Sequence, residues 1–187
     1  MISGASLKVF ENSEKLHNAA AEAVRDLIGR SLRERGTCFL ALSGGETPRP
    51  VYRLLGSPPF RDEIDWLRVH LLFGDERMVP PEDPASNYRM VSHELIAHVP
   101  IPPQNVHRIA GEKDPDHSAK EYEAVVESLL NREGGKLDLV LLGLGGDGHT
   151  ASLFPNAPAT GADRKIQAVH AREIGAWRVT MTLPLIN

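Results

Sequence analysis

The stretch LDLVLLGLGGDGHTASLFP, from Leu137 to Pro155, limits the possible folds more than any other part of the chain. Its apolar run, Leu139 to Leu142, has no polar face, which suits a buried parallel strand covered on both sides by helices. The run ends abruptly in glycines interleaved with a carboxylate and an imidazole: Gly143, Gly145, Gly146, Asp147, Gly148 and His149. Glycines let a backbone turn sharply and approach a ligand closely. Asp147 and His149 are therefore the first candidates for catalysis, delivered at the carboxyl end of a strand.

The rest of the chain repeats this strand-then-polar-loop logic. Glu14 to Arg35 reads as an amphipathic helix, with Leu16, Ala20, Ala23, Val24, Leu27, Ile28 and Leu32 at three- and four-residue steps, Asn12 or Ser13 to cap it and Gly36 to end it. Strand Cys38 to Leu42 opens into Ser43, Gly44, Gly45, Glu46 and Thr47, and Pro48 suits the first turn of the next helix. Strand Val69 to Phe73 ends in Gly74, Asp75, Glu76 and Arg77, followed by a proline-containing loop and a helix Asn87 to His98 capped by Ser86. A short strand around Val106 to Ile109, a helix from about Asp116 to Asn131 and the strand from Leu137 complete the pattern. RVTMTLPLIN, Arg178 to Asn187, alternates like a strand and stops at Asn187, which resembles the cap of a further helix. Strands alternating with helices imply a three-layer α/β domain, a mostly parallel sheet with helices on both faces, whose polar loops converge on one site.

Length and charge narrow the function. At 187 residues, 41% hydrophobic and 25% charged, the chain suits one globular domain, residues 1–187. A formal net charge of -4 and no lysine or arginine run argue against a nucleic-acid partner. No apolar stretch approaches the roughly 20 residues that span a bilayer, and the N-terminus lacks a signal-like apolar region, so a cytoplasmic location is expected. The single cysteine, Cys38, lies in an apolar strand, excludes an intrachain disulfide and reads as an inert core residue.

The local motifs differ in specificity. Gly143, Gly145 and Gly148 fit the spacing G-x-G-x-x-G, but Pro155 shortens the following segment, and Asp163 follows coil instead of a second strand, so dinucleotide binding is disfavoured. Ser43 to Thr47 lacks the Gly-Lys-Ser/Thr of a triphosphate loop; it offers backbone N–H groups, two hydroxyls and a helix start, enough for one phosphate or for an ordinary tight turn. Asp75, Glu76 and Arg77 read either as solvated charge or as an arginine clamp for phosphate or carboxylate, oriented by one of the two acids. His149 is one of eight histidines; its glycines and nearby Asp147 favour a general base, since imidazole titrates near neutrality. Metal binding is not expected, because no second histidine stands at ligand spacing. No G-x-S-x-G elbow suggests a serine nucleophile.

Three segments taken together resemble a known family. LSGGETP, GDERMVPPEDPASNYRMV and GLGGDGHTASLFP look like the signature blocks of 6-phosphogluconolactonase, within the glucosamine-6-phosphate isomerase/6-phosphogluconolactonase family, and RVTMTLPLIN resembles its next block. Glucosamine-6-phosphate deaminases share the DGH element but follow it with an Asn-Glu-Pro type sequence, where Ser152, Leu153, Phe154 and Pro155 stand here, and they have an aromatic residue where Arg77 stands. The resemblance implies a Rossmann-like, NagB-type fold. It also implies hydrolysis of 6-phospho-D-glucono-1,5-lactone to 6-phosphogluconate in the oxidative pentose phosphate pathway, a carboxylic ester hydrolysis needing no cofactor or metal.

The expected roles follow from that resemblance. His149 is base, Asp147 its support, and Arg77 the stabiliser of developing charge; Ser43, Gly44, Gly45, Thr47, Asp75 and Gly146 bind substrate and its phosphate. Glu76, Ser86 and Asn87 brace the Arg77 loop. Two departures stand out: Ile174, Gly175, Ala176 and Trp177 replace the family's Lys-Pro or similar pair, and members continue for a few dozen residues, so the family's C-terminal segment is expected to be missing. A deaminase-like isomerase and a non-catalytic sugar-phosphate sensor are the competing readings, and the expected assembly is a monomer or weak homo-oligomer.

Overall fold

A computed structural model describes residues 6–132, 136–155, 164–171 and 175–187. In chain order the elements are α1 (Ser13–Arg35), β1 (Cys38–Leu42), α2 (Arg49–Leu55), α3 (Phe60–Glu63), β2 (Val69–Phe73), β3 (Asp75–Arg77), α4 (Asn87–Glu94), β4 (Val106–His107), α5 (Pro115–Arg132), β5 (Leu139–Val140), β6 (Ile166–Ala171), β7 (Ala176–Met181) and α6 (Leu183–Ile186). The helix α1 begins where Asn12 accepts a hydrogen bond from the Lys15 N–H, and ends where Gly36 turns left-handed at φ 82°. Its buried stripe is Ala21, Val24, Ile28, Ser31 and Leu32. Complete burial of a side chain such as Ile28 stabilises by roughly 1.5–3 kcal/mol, so this stripe and not helix propensity fixes α1 on the sheet.

The main sheet is four-stranded and parallel, in the order β4-β2-β1-β5. Every residue of β1 is buried, as its unbroken apolar run requires. The expectation of a strand buried on both faces fails for β5. Leu139 and Val140 pair with β1 at the sheet edge and are only half-buried, while Leu142 and Leu144 are exposed. An apolar run does not say whether its strand is central or peripheral; β1 and β5 read alike in sequence and differ in neighbours.

The largest departure from the mostly parallel picture is a second, antiparallel sheet, β3-β7-β6. Asp75, Glu76 and Arg77, expected in a loop, form strand β3 against Arg178, Val179 and Thr180 of β7. The chain leaves one sheet at Gly74, whose N–H still bonds Leu42 O (2.8 Å) while its C=O already accepts from Met181 N (2.8 Å). β6, Ile166–Ala171, is an additional strand beyond those read from the sequence. The expected helix Asn87 to His98 is α4 followed by a separate 3₁₀ turn, Ile96–His98, because Leu95 leaves helical geometry (φ -132°) as its side chain enters the core. Between β7 and the last residue the chain makes the short helix α6, with Thr182 at its N-cap and Asn187 at its C-cap.

Two features of the core bear on stability. Cys38 is fully buried, and desolvation pushes its thiol up to about 11, which makes it unreactive. His70 of β2 and His107 of β4 meet at 3.1 Å, Nδ1 to Nε2, with their rings stacked. Burial, and then the neighbouring His70, hold His107 down to about 4 from an ordinary 6.5. Above pH 6.5 both folded and unfolded states carry this ring neutral, and its contribution to stability is complete. As the pH falls from 6.5 towards 4 only the unfolded chain takes up the proton, so that contribution is lost. Thermal midpoints should therefore drop across this window, and His107→Gln should flatten the profile; an unaltered slope in that variant would assign the acid sensitivity elsewhere.

Candidate active site

The loops that follow β1 and β5 and the three strands of the second sheet, β3, β6 and β7, converge on a single cavity of about 1190 Å³. The first loop, Ser43 to Thr47, leaves β1. It is pinned by Tyr52, whose hydroxyl accepts from Ser43 N (3.0 Å) and donates to Ser43 O (2.7 Å), satisfying backbone groups that the ladder leaves open at the strand end. Burial drives that phenol up to about 12, so it stays neutral and can both donate and accept. Tyr122 of α5 repeats the arrangement at the end of β2, with Phe73 N at 2.8 Å and Phe73 O at 3.1 Å. Neither tyrosine was singled out from sequence; a lone buried tyrosine has no local signature.

Loop geometry at Gly44 is set by its neighbour across the cavity. A Cβ there would overlap the Asn87 carboxamide, so only glycine lets the β1 loop pass that close to α4. Asn87 Nδ2 in turn donates to the Asp75 backbone O (2.9 Å) and to Asp75 Oδ1 (3.1 Å). The other Asp75 oxygen accepts from Ser152 Oγ at 2.6 Å, tying β3 to the segment after His149. Asp75 lines the cavity, but both its oxygens are engaged within the protein. Ser152 thus braces Asp75 from the side opposite Asn87.

Glu76 and Arg77 separate in role. The Glu76 side chain is buried beneath α4, where Oε1 accepts from Arg77 N and Asn87 N at 2.8 and 2.7 Å, and Oε2 from Tyr88 N and Ser86 Oγ at 2.8 and 3.1 Å. Burial pushes its carboxyl upward against the pull of these four donors. Ser86 also caps α4, accepting from Arg89 N at 3.1 Å. The expectation that Asp75 or Glu76 orients Arg77 is not met: among the described residues, neither forms an ion pair with its guanidinium. Instead Arg77 Nη1 donates to Ala85 O, and the side chain lines the cavity.

At the end of β5 the chain folds back tightly. Gly145 N bonds His149 O (2.8 Å), Gly148 N bonds Gly145 O (2.9 Å), and Thr150 Oγ1 bonds Gly143 O (2.8 Å). Ala151 holds φ 48°, a left-handed conformation costing a non-glycine residue roughly 1–2 kcal/mol. Asp147 Oδ1 accepts from His149 N (3.2 Å) and lies 2.5 Å from His149 Nδ1. The His149 side chain lowers the Asp147 carboxyl below its ordinary value. A carboxylate at Nδ1 selects the tautomer with its proton there, leaving the Nε2 lone pair free to take a proton. Phe154 packs beside the ring, centroids 5.0 Å apart, and both face the cavity.

Of the residues singled out from sequence, Ser43, Gly44, Gly45, Thr47, Asp75, Arg77, Asn87, Gly146, Asp147 and His149 all line this cavity, and Glu76 and Ser86 lie beneath it. Sequence reasoning missed the far wall, where Gln167, His170, Trp177 and Arg178 come from β6 and β7. The segment Gln167 to Ala171 does not alternate, so β6 has only the β-branched Ile166 and Val169 as a local signal, and nothing local encodes the return of β7 beside β3. Among the described residues no cluster of histidine, cysteine or carboxylate could hold a metal, and no helix is long and apolar enough to cross a membrane.

Comparison with known proteins agrees with this geometry. Residues 11–187 match the family described as glucosamine-6-phosphate isomerases/6-phosphogluconolactonase. The chain is 42% identical over 150 residues to 6-phosphogluconolactonase of Haemophilus influenzae, covering 79% of this chain but 63% of that protein. It is 39% identical over 183 residues to the Synechocystis protein of the same name, covering 96% of this chain and 74% of the relative. The crystal structure of 6-phosphogluconolactonase from Thermotoga maritima superposes with a TM-score of 0.81 at 30% identity, over 91% of this chain and 75% of that one. That of Trypanosoma cruzi gives 0.82 at 31%, over 95% and 74%. A parallel sheet flanked by helices, a glycine-rich strand end bearing Asp147 and His149, and kinship along nearly the whole sequence lead to one conclusion: the chain belongs to the glucosamine-6-phosphate isomerase/6-phosphogluconolactonase family.

Proposed function

We propose that this chain hydrolyses 6-phospho-D-glucono-1,5-lactone to 6-phosphogluconate, the lactone-opening step of the oxidative pentose phosphate pathway. The observation that carries this reading is the Asp147–His149 contact at the cavity wall, which leaves one ring nitrogen free as a base. His149 takes a proton from water as the water oxygen attacks the lactone carbonyl carbon. The ring C–O bond then breaks, and the same proton passes to the departing ring oxygen. Arg77 stabilises the negative charge that develops on the carbonyl oxygen. Ser43, Gly44, Gly45 and Thr47 hold the 6-phosphate, with Asp75 and Gly146 completing the substrate's surroundings. Positioning of the carbonyl against the base supplies the rest.

Residues 1–187 act in this reading as one 6-phosphogluconolactonase-like domain without cofactor or metal. It works in the cytoplasm as a monomer or weak homo-oligomer, on a small sugar-phosphate and not on nucleic acid. The deciding assay is acceleration of lactone hydrolysis above its spontaneous background; ammonia release from glucosamine 6-phosphate without lactone turnover would favour the deaminase chemistry instead. Gly145 provides a finer check. A Cβ at this position would overlap the His149 ring and crowd Asp147 Oδ1. Gly145→Ala should displace the imidazole and lower kcat by up to about 100-fold, with the circular dichroism spectrum unchanged. Parent-like kcat would mean that the ring position shown here is not the one used in turnover.

A further inference from the structure

The pairing of β3 with β7 puts two like charges side by side. Arg77 stands directly opposite Arg178 in the antiparallel register, so the two side chains share a face of that sheet. Both line the cavity. Like charges opposite one another destabilise a sheet, and a nearby carboxylate would normally relieve them. Here, among the described residues, no carboxylate comes within ion-pair distance of either guanidinium. The Nε of each arginine is buried with no hydrogen-bond partner among those residues. Desolvation, and then the neighbouring Arg77, push Arg178 below its ordinary value, as expected for a cation held half-buried beside another cation. Asp75 and Glu76 act on Arg178 only from beyond ion-pair distance, and Arg77 spends one Nη donor on Ala85 O, so two planar guanidinium forks lining one cavity keep further donors that match the geometry of an oxyanion.

We propose that Arg178 contacts the substrate, forming with Arg77 a two-guanidinium clamp for one of its oxyanions. The inference rests on the sugar-phosphate lactone reading, which offers two such groups: the 6-phosphate, and the carboxylate generated at C1 when the ring opens. Either one would neutralise the paired charge that the fold leaves open. It also explains why the second sheet is part of the site: β7 brings a cation to the cavity wall that none of the parallel strands supplies.

The test uses the full chain and two variants, Arg178→Gln and Arg178→Lys, the second retaining charge and alkyl stem in case the first fails to fold. Dissociation constants are measured calorimetrically for 6-phosphogluconate, for glucose 6-phosphate, which has the phosphate alone, and for gluconate, which has the carboxylate alone. The 6-phosphogluconate affinity should fall roughly 10- to 100-fold in both variants, the scale of a hydrogen bond to a charged group, and lysine should not restore it because a point charge lacks the fork. An accompanying loss for glucose 6-phosphate assigns the clamp to the phosphate, and an accompanying loss for gluconate assigns it to the carboxylate. Affinities within twofold of the parent in folded Arg178→Lys, or a parent that binds none of the three, overturn the clamp. Lactone turnover is scored separately. A parent that binds through Arg178 without hydrolysing the lactone refutes the lactonase reading alone, and a parent that hydrolyses with Arg178→Lys unchanged in affinity, kcat and KM refutes the clamp alone.

Discussion

His149→Ala should lower kcat for lactone hydrolysis by about 10²- to 10⁴-fold, the usual contribution of a positioned general base, while 6-phosphogluconate still binds. The expectation follows from where the groups lie. His149 stands at the end of β5, with its Nδ1 against Asp147, whereas the loop assigned to the phosphate leaves β1 and is pinned by Tyr52 from α2. Removing the ring deletes the base without disturbing the Tyr52 contacts that shape the other loop. The side chain is 35% exposed, so its loss opens no sealed core cavity and the fold should persist. Single-turnover kinetics together with calorimetry separate the two effects. Near-parent turnover with unchanged binding would remove His149 from the mechanism, and lost binding would place the phosphate beside the imidazole instead.

The parts legible in the sequence share one physical property: they are local. The α1 stripe and its Asn12 and Gly36 caps, the apolar strands β1 and β2, and the glycine-rich turn bearing Asp147 and His149 are specified by residues within a few positions of one another. Periodicity and turn chemistry therefore find them. The antiparallel sheet was illegible because its pairings join Asp75 with Thr180 and Arg77 with Arg178, and no local pattern encodes such a register. The same distance hid Ser152, whose hydroxyl meets Asp75, and both tyrosines that lock strand ends. Half of the cavity could thus be named from motifs, and the wall built by β6 and β7 could not.

Charge at a strand end was the ambiguous case, and the structure resolves it differently for each member of the Asp75, Glu76, Arg77 cluster. Alternation within β3 sends Glu76 to the opposite face from its two neighbours. Asp75 and Arg77 therefore reach the cavity, while Glu76 goes under the first turn of α4. Anions are favoured at a helix N-terminus, where backbone N–H groups lack partners, and Glu76 takes two of those from α4. A residue that reads as solvated charge is in fact the joint between the parallel sheet's exit and the helix behind Arg77.

Replacing that joint should be the most destabilising single change at the site. Glu76→Ala leaves the N–H groups of Arg77, Asn87 and Tyr88 and the Ser86 hydroxyl without their acceptor, in a place where the side chain they served is only 2% exposed. An unsatisfied buried donor costs about 1–3 kcal/mol, so even with partial relief by water the loss should reach about 3 kcal/mol. For a domain of this size that corresponds to a fall in Tm of roughly 6–12 °C. Glu76→Gln distinguishes charge from shape. Its amide keeps one acceptor oxygen but turns an N–H₂ towards donors that need an acceptor, so it should recover only part of the loss. The kinetic consequence follows from position: Asn87 and Arg77 bond directly to the Glu76 carboxylate through their backbone N–H groups, so kcat/KM should fall in both variants at temperatures where the fold is intact. A Tm within 1–2 °C of the parent in Glu76→Ala, a range below about 1 kcal/mol, would mean that the four hydrogen bonds contribute almost nothing and that α4 is held by its apolar face alone.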